Sequence, residues 1–402
     1  MSISLYDRAK HCIAQGALTN SKRPESLIKG VYPTHIVAAK GAEVRDERGK
    51  TYVDFICGLG SNLFGYGHPK LALPLAVAAE MGASHSLPTI HEVATAEILK
   101  EMFHWVDRWK FVKTGSEACS AAIKIARAVT GRYRIWSEGY HGWHETFASL
   151  VPPAHGCGDS ASLGIWRMGG LDHIDDSVAA IIVEPVQLDA SEYRMQYLQE
   201  LRKRCTEHGV LLIFDEIITG YRFPQWSVSR ASNVTPDLIL IGKAMANGMP
   251  LAAVGGKAEI MDDVRYFVSG TYCGEVASLC VAQRIAEICL KEPNAVTELV
   301  EEAQRFCAKL NELLAEFDVR IDGYGTRGAF VGNEVSKALF WQECCLGGVL
   351  FGPSFFYNYA HATYSVLVWD VVHDVVRRMK TRNIPLKGEL PSSPFAAKAR
   401  EK

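Results

Sequence analysis

The sequence predicts an α/β protein with a mostly parallel sheet, and two features of the chain lead to this prediction. Short apolar runs at 179–183, 211–214 and 238–241 have the length and composition of buried strands. Segments with helical spacing of apolar residues, such as 195–208, separate these runs. Strands that alternate with helices are typical of a parallel sheet with helices on its faces.

The chain is long enough for one large domain and a smaller one. It has 402 residues, of which 48% are hydrophobic. We predict an N-terminal segment at 1–60, a large domain at 61–288 and a small C-terminal domain at 289–402. The glycine-rich stretch after residue 56 could bring backbone close to a ligand, and an ordinary interdomain turn would have the same composition.

Charge and cysteine content limit the expected partners and compartment. A formal net charge of -2 gives no reason to expect nucleic acid or an anionic membrane as a partner. The N-terminus lacks an apolar signal core, and no apolar run is long enough to cross a bilayer. Eleven cysteines, an odd number without a C-x-x-C pair, indicate free thiols in a reducing cytoplasm.

Two charged residues stand at the ends of two predicted strands. Asp215 follows the run 211–214, and Lys243 follows the run 238–241 after one glycine. Ligands of open α/β sheets bind beyond the carboxyl ends of the strands, so both side chains are predicted to enter one crevice. This pair fits pyridoxal phosphate, whose aldehyde forms an imine with an amine and whose ring nitrogen works best protonated beside a carboxylate. In this interpretation Lys243 also moves the substrate α-proton.

An apolar strand that ends in Asp-Glu is also how a nucleoside triphosphatase places its Mg²⁺ ligand. That alternative needs a phosphate loop of the form G-x-x-x-x-G-K-[ST]. The nearest candidate is Gly49-Lys50-Thr51, but Val44 stands where the first glycine must be. The plainest alternative is that Asp215 is an ordinary acidic strand end and Lys243 an ordinary surface lysine. For either residue alone this alternative is favoured, and only the remaining motifs count against it.

A helix is predicted to begin at Gly115 and Ser116 and to run to about Val129. Ser116 suits the N-cap position, and the free amides of a helix N-terminus bind anions. Gly115 and Ser116 are therefore predicted to hold the cofactor phosphate. Taken alone this signal is weak, because most serine N-caps bind no ligand.

The segment 139–144 supplies an aromatic residue between glycines. Tyr140 is predicted to stack on the cofactor ring, because such a side chain can lie flat on a planar ligand, and His141 beside it is counted as a cofactor contact. His141 and His144 could instead be a metal pair, but no third ligand is evident, and we expect no metal. Glu184 follows the run 179–183 and is predicted to face the same crevice.

The rest of the chain indicates a smaller domain. Residues 1 to about 60 are predicted to form an extended arm that includes a hairpin with its turn at 47–50. A helix at about 297–317 carries one apolar face, and a last helix is predicted at about 366–379.

Six motifs carry a resemblance to a known family. In chain order they are TGSEA, EGYHGWH, IIVEPV, LLIFDEIITGYR, PDLILIGKAMANGMPLAAVGGKAEIM and SGTY. Together they resemble the class-III, fold-type I aminotransferases, which use pyridoxal phosphate, and within them the glutamate-1-semialdehyde aminomutase-like branch. The resemblance covers about residues 20–365. It implies a large domain with a mostly parallel seven-stranded sheet and a small α+β domain built from the N-terminal arm and the C-terminal segment.

The resemblance also implies roles for individual residues. Lys243 resembles the lysine that holds the cofactor, Asp215 the carboxylate on the ring nitrogen, and Ile217 the aliphatic residue behind the ring. The phosphate turn, the stacking aromatic and the active-site acid of the family correspond to residues already singled out: Gly115, Ser116, Tyr140 and Glu184. Thr271 resembles the threonine that reaches the phosphate from the other subunit, which implies a homodimer with shared sites.

Two departures from the aminomutase-like branch lie where a substrate would bind. Arg23 is one residue out of register with the arginine that holds the substrate carboxylate. The tract Tyr357-Asn358-Tyr359 stands where the branch has an acidic residue. Hydroxyls and an amide suit a neutral, hydroxylated substrate better than an ammonium group.

We therefore expect an aminotransferase that moves an amino group from an amino acid donor to a polar aldehyde or ketone acceptor, for example a sugar-like one. The first alternative is intramolecular amino transfer of the aminomutase type. The second is a non-catalytic cofactor-binding homologue, which the intact Asp215 and Lys243 disfavour. The candidate substrate contacts are Arg23, Ser61, Asn62, Trp143 and Tyr357.

Overall fold

The computed structural model describes residues 4–154 and 156–392, and the chain divides into two compact units. The central unit consists of Gly60–Leu63 and Pro69–Val300. The terminal unit consists of Met1–Leu59, Phe64–His68 and Glu301–Lys402. The domain boundaries drawn from the sequence, after residues 60 and 288, remain a prediction.

The central unit is built on the predicted seven-stranded sheet. From one edge to the other its strands are Arg108–Val112, Ala252–Gly256, Leu238–Ile241, Leu211–Glu216, Val178–Val183, Arg134–Glu138 and Ile165–Arg167. The four pairings from Leu238–Ile241 to Ile165–Arg167 are parallel, and Ala252–Gly256 runs antiparallel to both of its neighbours. The mostly parallel α/β fold is therefore confirmed.

The middle strands of this sheet are buried along their whole length. Every residue of Val178–Val183 and Leu238–Ile241 is buried. Parallel strands that are covered on both faces have this continuous apolar composition instead of an alternating one. This is why uninterrupted apolar runs marked these strands in the sequence.

Helices connect and cover the strands. Those that end before residue 300 include Ala72–Met81, Ile90–Met102, Gly115–Thr130, Glu145–Ala148, Glu192–Glu207, Val228–Ala231, Ala258–Met261 and Val276–Lys291 in the central unit, and Leu5–Cys12 in the terminal unit. They are followed by Ala295–Leu314, Glu334–Gly347 and Ser365–Thr381. The helices predicted at 195–208, 297–317 and 366–379 are thus confirmed, with bounds that differ by three residues or fewer.

The helix Gly115–Thr130 is capped by Thr114, so the prediction that Ser116 is the N-cap is wrong. The Oγ1 atom of Thr114 accepts the N–H of Glu117 at 3.2 Å, and the carboxylate of Glu117 accepts the N–H of Thr114 at 2.8 Å. This reciprocal capping box starts two residues before Ser116 and fixes the first helical residue as Gly115. Ser116 therefore lies inside the first turn.

The N-terminal segment is not the extended arm that the sequence suggested. Leu5–Cys12 forms a helix, and Ser4 caps it by accepting the N–H of Asp7 at 3.1 Å. A helix of eight residues is marginal by its own propensity, and Ala9 is its buried residue, so the Ser4 cap is a local contribution to its stability.

The hairpin predicted in this segment is confirmed. The strands Glu43–Asp46 and Thr51–Asp54 pair antiparallel around the turn at 47–50, and Ile36–Lys40 joins them on the other side. Val349–Leu350, from the C-terminal part of the chain, pairs parallel to Thr51–Asp54. The two ends of the chain therefore fold as one unit.

A stack of aromatic rings forms part of the core of the terminal unit. The ring of Phe55 lies 4.8 Å from that of Phe351 and 4.2 Å from that of His361, measured between centroids. A second antiparallel sheet of this unit comprises Val319–Gly323, Arg327–Gly332 and Ser354–Phe356. Among the described residues, no helix has both the length and the apolar character that a membrane span needs.

Candidate active site

Asp215 and Lys243 stand at the same edge of the sheet. The strand Leu211–Glu216 pairs parallel with Leu238–Ile241, and Asp215 lies opposite Leu240 in this register. Lys243 follows two residues after the end of its strand and has a left-handed backbone with φ of +41°. The prediction that the two strands are parallel neighbours is therefore confirmed. A left-handed backbone is uncommon outside glycine and is a feature of functional sites.

The carboxylate of Asp215 is buried and receives three hydrogen bonds. Its Oδ1 atom accepts the N–H of Ile217 at 3.1 Å. Its Oδ2 atom lies 2.7 Å from Nδ1 of His141 and accepts the thiol of Cys119 at 3.3 Å. Because a carboxylate ion only accepts, Nδ1 of His141 carries the hydrogen of the shorter bond. A buried carboxylate needs such donors, since burying an unpaired neutral polar group already costs several kcal/mol and burying an unpaired carboxylate ion costs far more.

The next residue, Glu216, points to the opposite face and has a structural role. It is fully buried and accepts the N–H groups of Val228 at 2.7 Å and Ser229 at 2.9 Å. The hydroxyl of Thr219 donates to it at 2.9 Å. Burial raises the pKa of Glu216, and these hydrogen bonds oppose that rise. The two acids of this strand are therefore used differently, as expected for neighbours on opposite faces of a sheet.

The start of the helix Gly115–Thr130 packs against the Asp215 strand and against the segment 139–144. A Cβ atom on Gly115 would lie 3.1 Å from Cγ2 of Ile217. A Cβ atom on Gly142, whose φ is +93°, would lie 2.2 Å from Oγ of Ser116. The Oγ atom of Ser116 in turn accepts the N–H of Trp143 at 3.3 Å. The predicted phosphate turn, Ile217 and the predicted aromatic segment are therefore in direct contact.

Glu184 holds the backbone of Tyr140. Its Oε1 atom accepts the N–H of Tyr140 at 2.8 Å and the side-chain amide of Gln187 at 3.1 Å. Burial raises the pKa of the Tyr140 hydroxyl, although the side chain is still half exposed. Gln187 was not singled out from the sequence, because three residues after a strand end its side chain could face in any direction.

Cys119 is a buried neighbour of these charged groups that the sequence analysis missed. Burial raises the pKa of its thiol well above the ordinary value, and the negative charges of Asp215 and Glu184 raise it further. The positive charge of Lys243 acts in the opposite direction. Asp215, Glu184 and Lys243 are therefore all within electrostatic reach of one thiol. The signal was its position four residues after Gly115, which is one helical turn.

The two histidines of the segment 139–144 have different partners. His141 faces Asp215, whereas Nδ1 of His144 lies 2.8 Å from Oγ of Ser120. The predicted alternative of a His141–His144 metal pair is therefore wrong. The ligand atoms of Cys119, His141 and Asp215 do lie within 4.8 Å of one another, a spacing at which a metal ion could be held. Their hydrogen bonds to one another account for the same spacing.

The segment offered as a phosphate loop lies elsewhere. Residues 44–51 belong to the antiparallel hairpin of the terminal unit. A phosphate loop instead joins a strand to a helix. The nucleoside triphosphatase alternative therefore lacks its essential element.

Most of this chain matches the model of a known protein family. The family model of the class-III aminotransferases matches residues 28–160 and 159–351. This chain belongs to the class-III aminotransferase family. Members of the family are pyridoxal-phosphate-dependent enzymes, so the predicted cofactor and enzyme class are confirmed.

Two curated relatives support the assignment of this chain to the family. It is 34% identical over 329 residues to glutamate-1-semialdehyde 2,1-aminomutase of Symbiobacterium thermophilum, covering 75% of each chain. It is 30% identical over 398 residues to the enzyme of that name from Syntrophomonas wolfei, covering 88% of this chain and 91% of the relative.

Solved structures share the fold at lower identity. The FumI protein of Sphingopyxis has a TM-score of 0.85 at 22% identity, over 94% of this chain and 97% of its own. An omega-transaminase of Sphaerobacter thermophilus has a TM-score of 0.80 at 22% identity, over 92% and 97% of the two chains. A glutamate-1-semialdehyde-aminomutase of Pseudomonas aeruginosa has a TM-score of 0.78 at 20% identity, over 93% and 92%.

The residues of the central unit fit the cofactor of this family. The buried carboxylate of Asp215 has the charge that a protonated ring nitrogen requires. The N-terminus of a 16-residue helix begins at Gly115, beside Ile217, and offers amides to a phosphate. A side chain at Gly142 would collide with Ser116, so the backbone around Ser116 is tightly packed.

The remaining candidate residues are distributed over the two units of the chain. In the central unit, the amide of Asn62 donates to Oγ of Ser61 at 3.1 Å, Trp143 is 72% exposed, and Thr271 is exposed. In the terminal unit, the buried hydroxyl of Tyr357 donates to Glu302 at 2.7 Å.

Arg23, also of the terminal unit, has a buried Nε atom. That atom has no hydrogen-bond partner within residues 4–154 and 156–392. An unpaired buried donor is costly, and a bound carboxylate would satisfy it.

We expect the substitution Gly142→Ala to lower both stability and cofactor retention. The new Cβ atom would meet Oγ of Ser116, and φ of +93° is strained for alanine. A loss of about 1–3 kcal/mol in the free energy of unfolding follows from such strain. Urea unfolding measures the first effect, and the absorbance of retained pyridoxal phosphate after gel filtration measures the second.

Gly170→Ala is the matched control for this experiment. A Cβ atom on Gly170 meets no other atom within 4 Å, and its backbone is extended. This variant is expected to behave like the wild type. Equal effects of the two substitutions would show that the contact between Gly142 and Ser116 is unimportant.

Proposed function

We propose that this protein is a transaminase that moves an amino group from an amino acid donor to a polar aldehyde or ketone acceptor. The observation that carries the proposal is the parallel pairing that brings Asp215 and Lys243 to one edge of the sheet. Pyridoxal phosphate, when bound, supplies an aldehyde that reacts with amines and a ring that accepts the electrons of a departing α-proton. The residues around Asp215 and Lys243 can serve both properties.

Asp215 is proposed to hold a proton on the ring nitrogen of the cofactor. The hydrogen bonds from Ile217 and His141 fix the orientation of its carboxylate, so the negative charge is preorganised. His141 is in this view a positioning residue, because it acts on the cofactor through Asp215. Burial strengthens the interaction, since the effective dielectric constant is low there.

Lys243 is proposed to hold the cofactor covalently and to move the substrate α-proton between carbon atoms. An amine could perform both tasks, because it would hold the cofactor in the absence of substrate and would be free to act as a base when a substrate amine took its place. The proximity of its charge to Cys119, and through Cys119 to Asp215, supports this assignment.

The other cofactor contacts are proposed from the same geometry. Gly115 and Ser116 would hold the phosphate with backbone amides, and Tyr140 and Ile217 would contact the ring. Glu184 would fix Tyr140 through its backbone N–H, at 2.8 Å. The contacts among these segments support the proposed roles.

The proposed substrate contacts are Arg23, Ser61, Asn62, Trp143 and Tyr357. The unsatisfied Nε atom of Arg23 supports a role in binding the carboxylate of the amino donor. Because Tyr357 already donates its hydrogen to Glu302, it could contact an acceptor only by accepting a hydrogen bond.

Intramolecular amino transfer is the second candidate function. It is favoured by the relatives of 30–34% identity, which carry the name glutamate-1-semialdehyde 2,1-aminomutase. Intermolecular transfer is favoured by the tract at 357–359, where this chain has two tyrosines and an asparagine.

We also propose that the enzyme is a homodimer in the cytoplasm. Large apolar side chains are exposed along 73–93, namely Leu73, Leu75, Met81, Leu87, Ile90 and Val93. Exposed apolar residues in such density indicate a surface that another chain covers. All eleven cysteines are free thiols, which supports a reducing compartment.

We expect borohydride reduction of the wild-type enzyme to fix the pyridoxyl group on Lys243. Peptide mapping by mass spectrometry locates the group. Lys243→Ala should yield no such adduct and no turnover, because no amine remains at the end of the strand Leu238–Ile241. The exposed Lys257 is the internal control. A pyridoxyl group found on Lys257 would show that the assignment is wrong.

The deciding assay for reaction type supplies glutamate-1-semialdehyde alone. A transaminase should form little 5-aminolevulinate from it, because a second substrate is required to complete the cycle. With glutamate or alanine alone, a transaminase should release one equivalent of keto acid and leave the cofactor in its amine form. Efficient, repeated turnover of glutamate-1-semialdehyde to 5-aminolevulinate would instead establish the aminomutase.

Subunit mixing tests whether Thr271 serves the partner's site. We expect Lys243→Ala and Thr271→Ala homodimers each to be impaired, and activity to return when they are dissociated and reassociated together. A heterodimer would then carry both lesions in one site and neither in the other. Each variant taken alone through the same treatment is the control. Absence of recovery in proven heterodimers, or an active monomer by sedimentation, would contradict the shared site.

A further inference from the structure

We infer that Cys119 is a positioning residue that tunes how strongly Asp215 holds a proton on the cofactor ring. The inference rests on the proposed role of Asp215 and goes beyond it. The thiol of Cys119 donates to Oδ2 of Asp215 at 3.3 Å, and both residues are buried, with 1% and 5% of their surfaces exposed.

The position of Cys119 in the helix determines which structural elements its contact with Asp215 connects. Cys119 lies one turn after Gly115, on the helix whose first turn is proposed to hold the phosphate. Asp215 lies on a strand of the sheet. The hydrogen bond between them therefore ties the element that holds one end of the cofactor to the residue that holds the other end.

The proton of this bond stays on sulfur. Burial raises the pKa of the Cys119 thiol well above its ordinary value, and the charge of Asp215 adds to the rise. A thiol in such surroundings is neither a nucleophile nor a ready metal ligand, because both tasks need the thiolate. Its remaining property is that of a weak hydrogen-bond donor.

The described hydrogen-bond donors around Asp215 leave one acceptor position of its carboxylate unoccupied, and that position is on Oδ1. A carboxylate has about four such positions, two on each oxygen. Within residues 4–154 and 156–392, the thiol of Cys119 and Nδ1 of His141 use both positions of Oδ2, and the N–H of Ile217 uses one of Oδ1. Cys119 and His141 thus direct any further donor to Oδ1.

The same hydrogen bonds also affect the negative charge of the Asp215 carboxylate. Each donor draws negative charge from it and weakens its hold on a further proton. A thiol draws less than a hydroxyl, because its hydrogen bonds are weaker. A cysteine at this position therefore ties the helix to Asp215 with little loss of the charge that the ring nitrogen requires.

The test compares Cys119→Ala, which removes the donor, with Cys119→Ser, which strengthens it. Each variant is reconstituted with ring-¹⁵N pyridoxal phosphate, and the ¹⁵N resonance is followed with pH. We expect the apparent pKa of the ring nitrogen to rise in Cys119→Ala and to fall in Cys119→Ser, each by on the order of half to one pH unit. Shifts of the ring-nitrogen pKa in opposite directions in the two variants are expected if Cys119 acts as a hydrogen-bond donor.

The matched controls are Cys205→Ala and Cys205→Ser. Cys205 is also a buried cysteine on a helix of the central unit, but the described hydrogen bonds of Asp215 come from Cys119, His141 and Ile217 and not from Cys205. These variants are expected to change thermal stability without moving the ¹⁵N resonance. If Cys119→Ala and Cys119→Ser shift the resonance in the same direction, or not at all, Cys119 only fills space and the inference is overturned.

A measurement on the wild-type protein covers the case in which the variants do not fold. The S–H stretching band in the infrared spectrum of the holoenzyme is compared with that of the apoenzyme. A new donor on Asp215 should weaken its bond to Cys119, so the band should move to higher frequency when the cofactor binds. An unchanged band would overturn the inference. Failure of the wild-type protein to bind pyridoxal phosphate at all would instead contradict the proposed function.

Discussion

The parallel pairing of Leu211–Glu216 with Leu238–Ile241 is the constraint on which the rest of the site depends. It brings Asp215 and Lys243 to one edge of the sheet from strands that are 20 or more residues apart in the chain. Because side chains alternate between the faces of a sheet, a slip of one residue would exchange the positions of Asp215 and Glu216. The hydrogen bonds of Glu216 to Val228, Ser229 and Thr219 stabilise the observed register.

The site around this pairing is held by contacts between short segments that are distant in sequence. Gly142 lets the segment 139–144 lie against Ser116, and Glu184 fixes the same segment through the N–H of Tyr140. The buried carboxylate of Asp215 accepts hydrogen bonds from Ile217, His141 and Cys119. These donors compensate for its burial and also fix the orientation of the carboxylate.

Much of the fold could be predicted, because buried parallel strands and long amphipathic helices leave strong local patterns. The strand Leu238–Ile241 is found with the predicted bounds, and the helix bounds differ by three residues or fewer. The errors fall where local pattern is ambiguous. Thr114 and Ser116 are both suitable N-caps by residue type, and only the pairing with Glu117 distinguishes them. The helix Leu5–Cys12 is too short to leave a strong local pattern in the sequence.

The sequence by itself determined the fold class, the cofactor family and the two charged residues at strand ends, because these follow from local runs of residues and from motifs in a fixed order. Only the tertiary structure decided that His141 contacts Asp215, that Tyr357 donates to Glu302, and that the thiol of Cys119 donates to Asp215. These are contacts between side chains on separate elements. Their directions depend on register and packing, which no local pattern in the chain encodes.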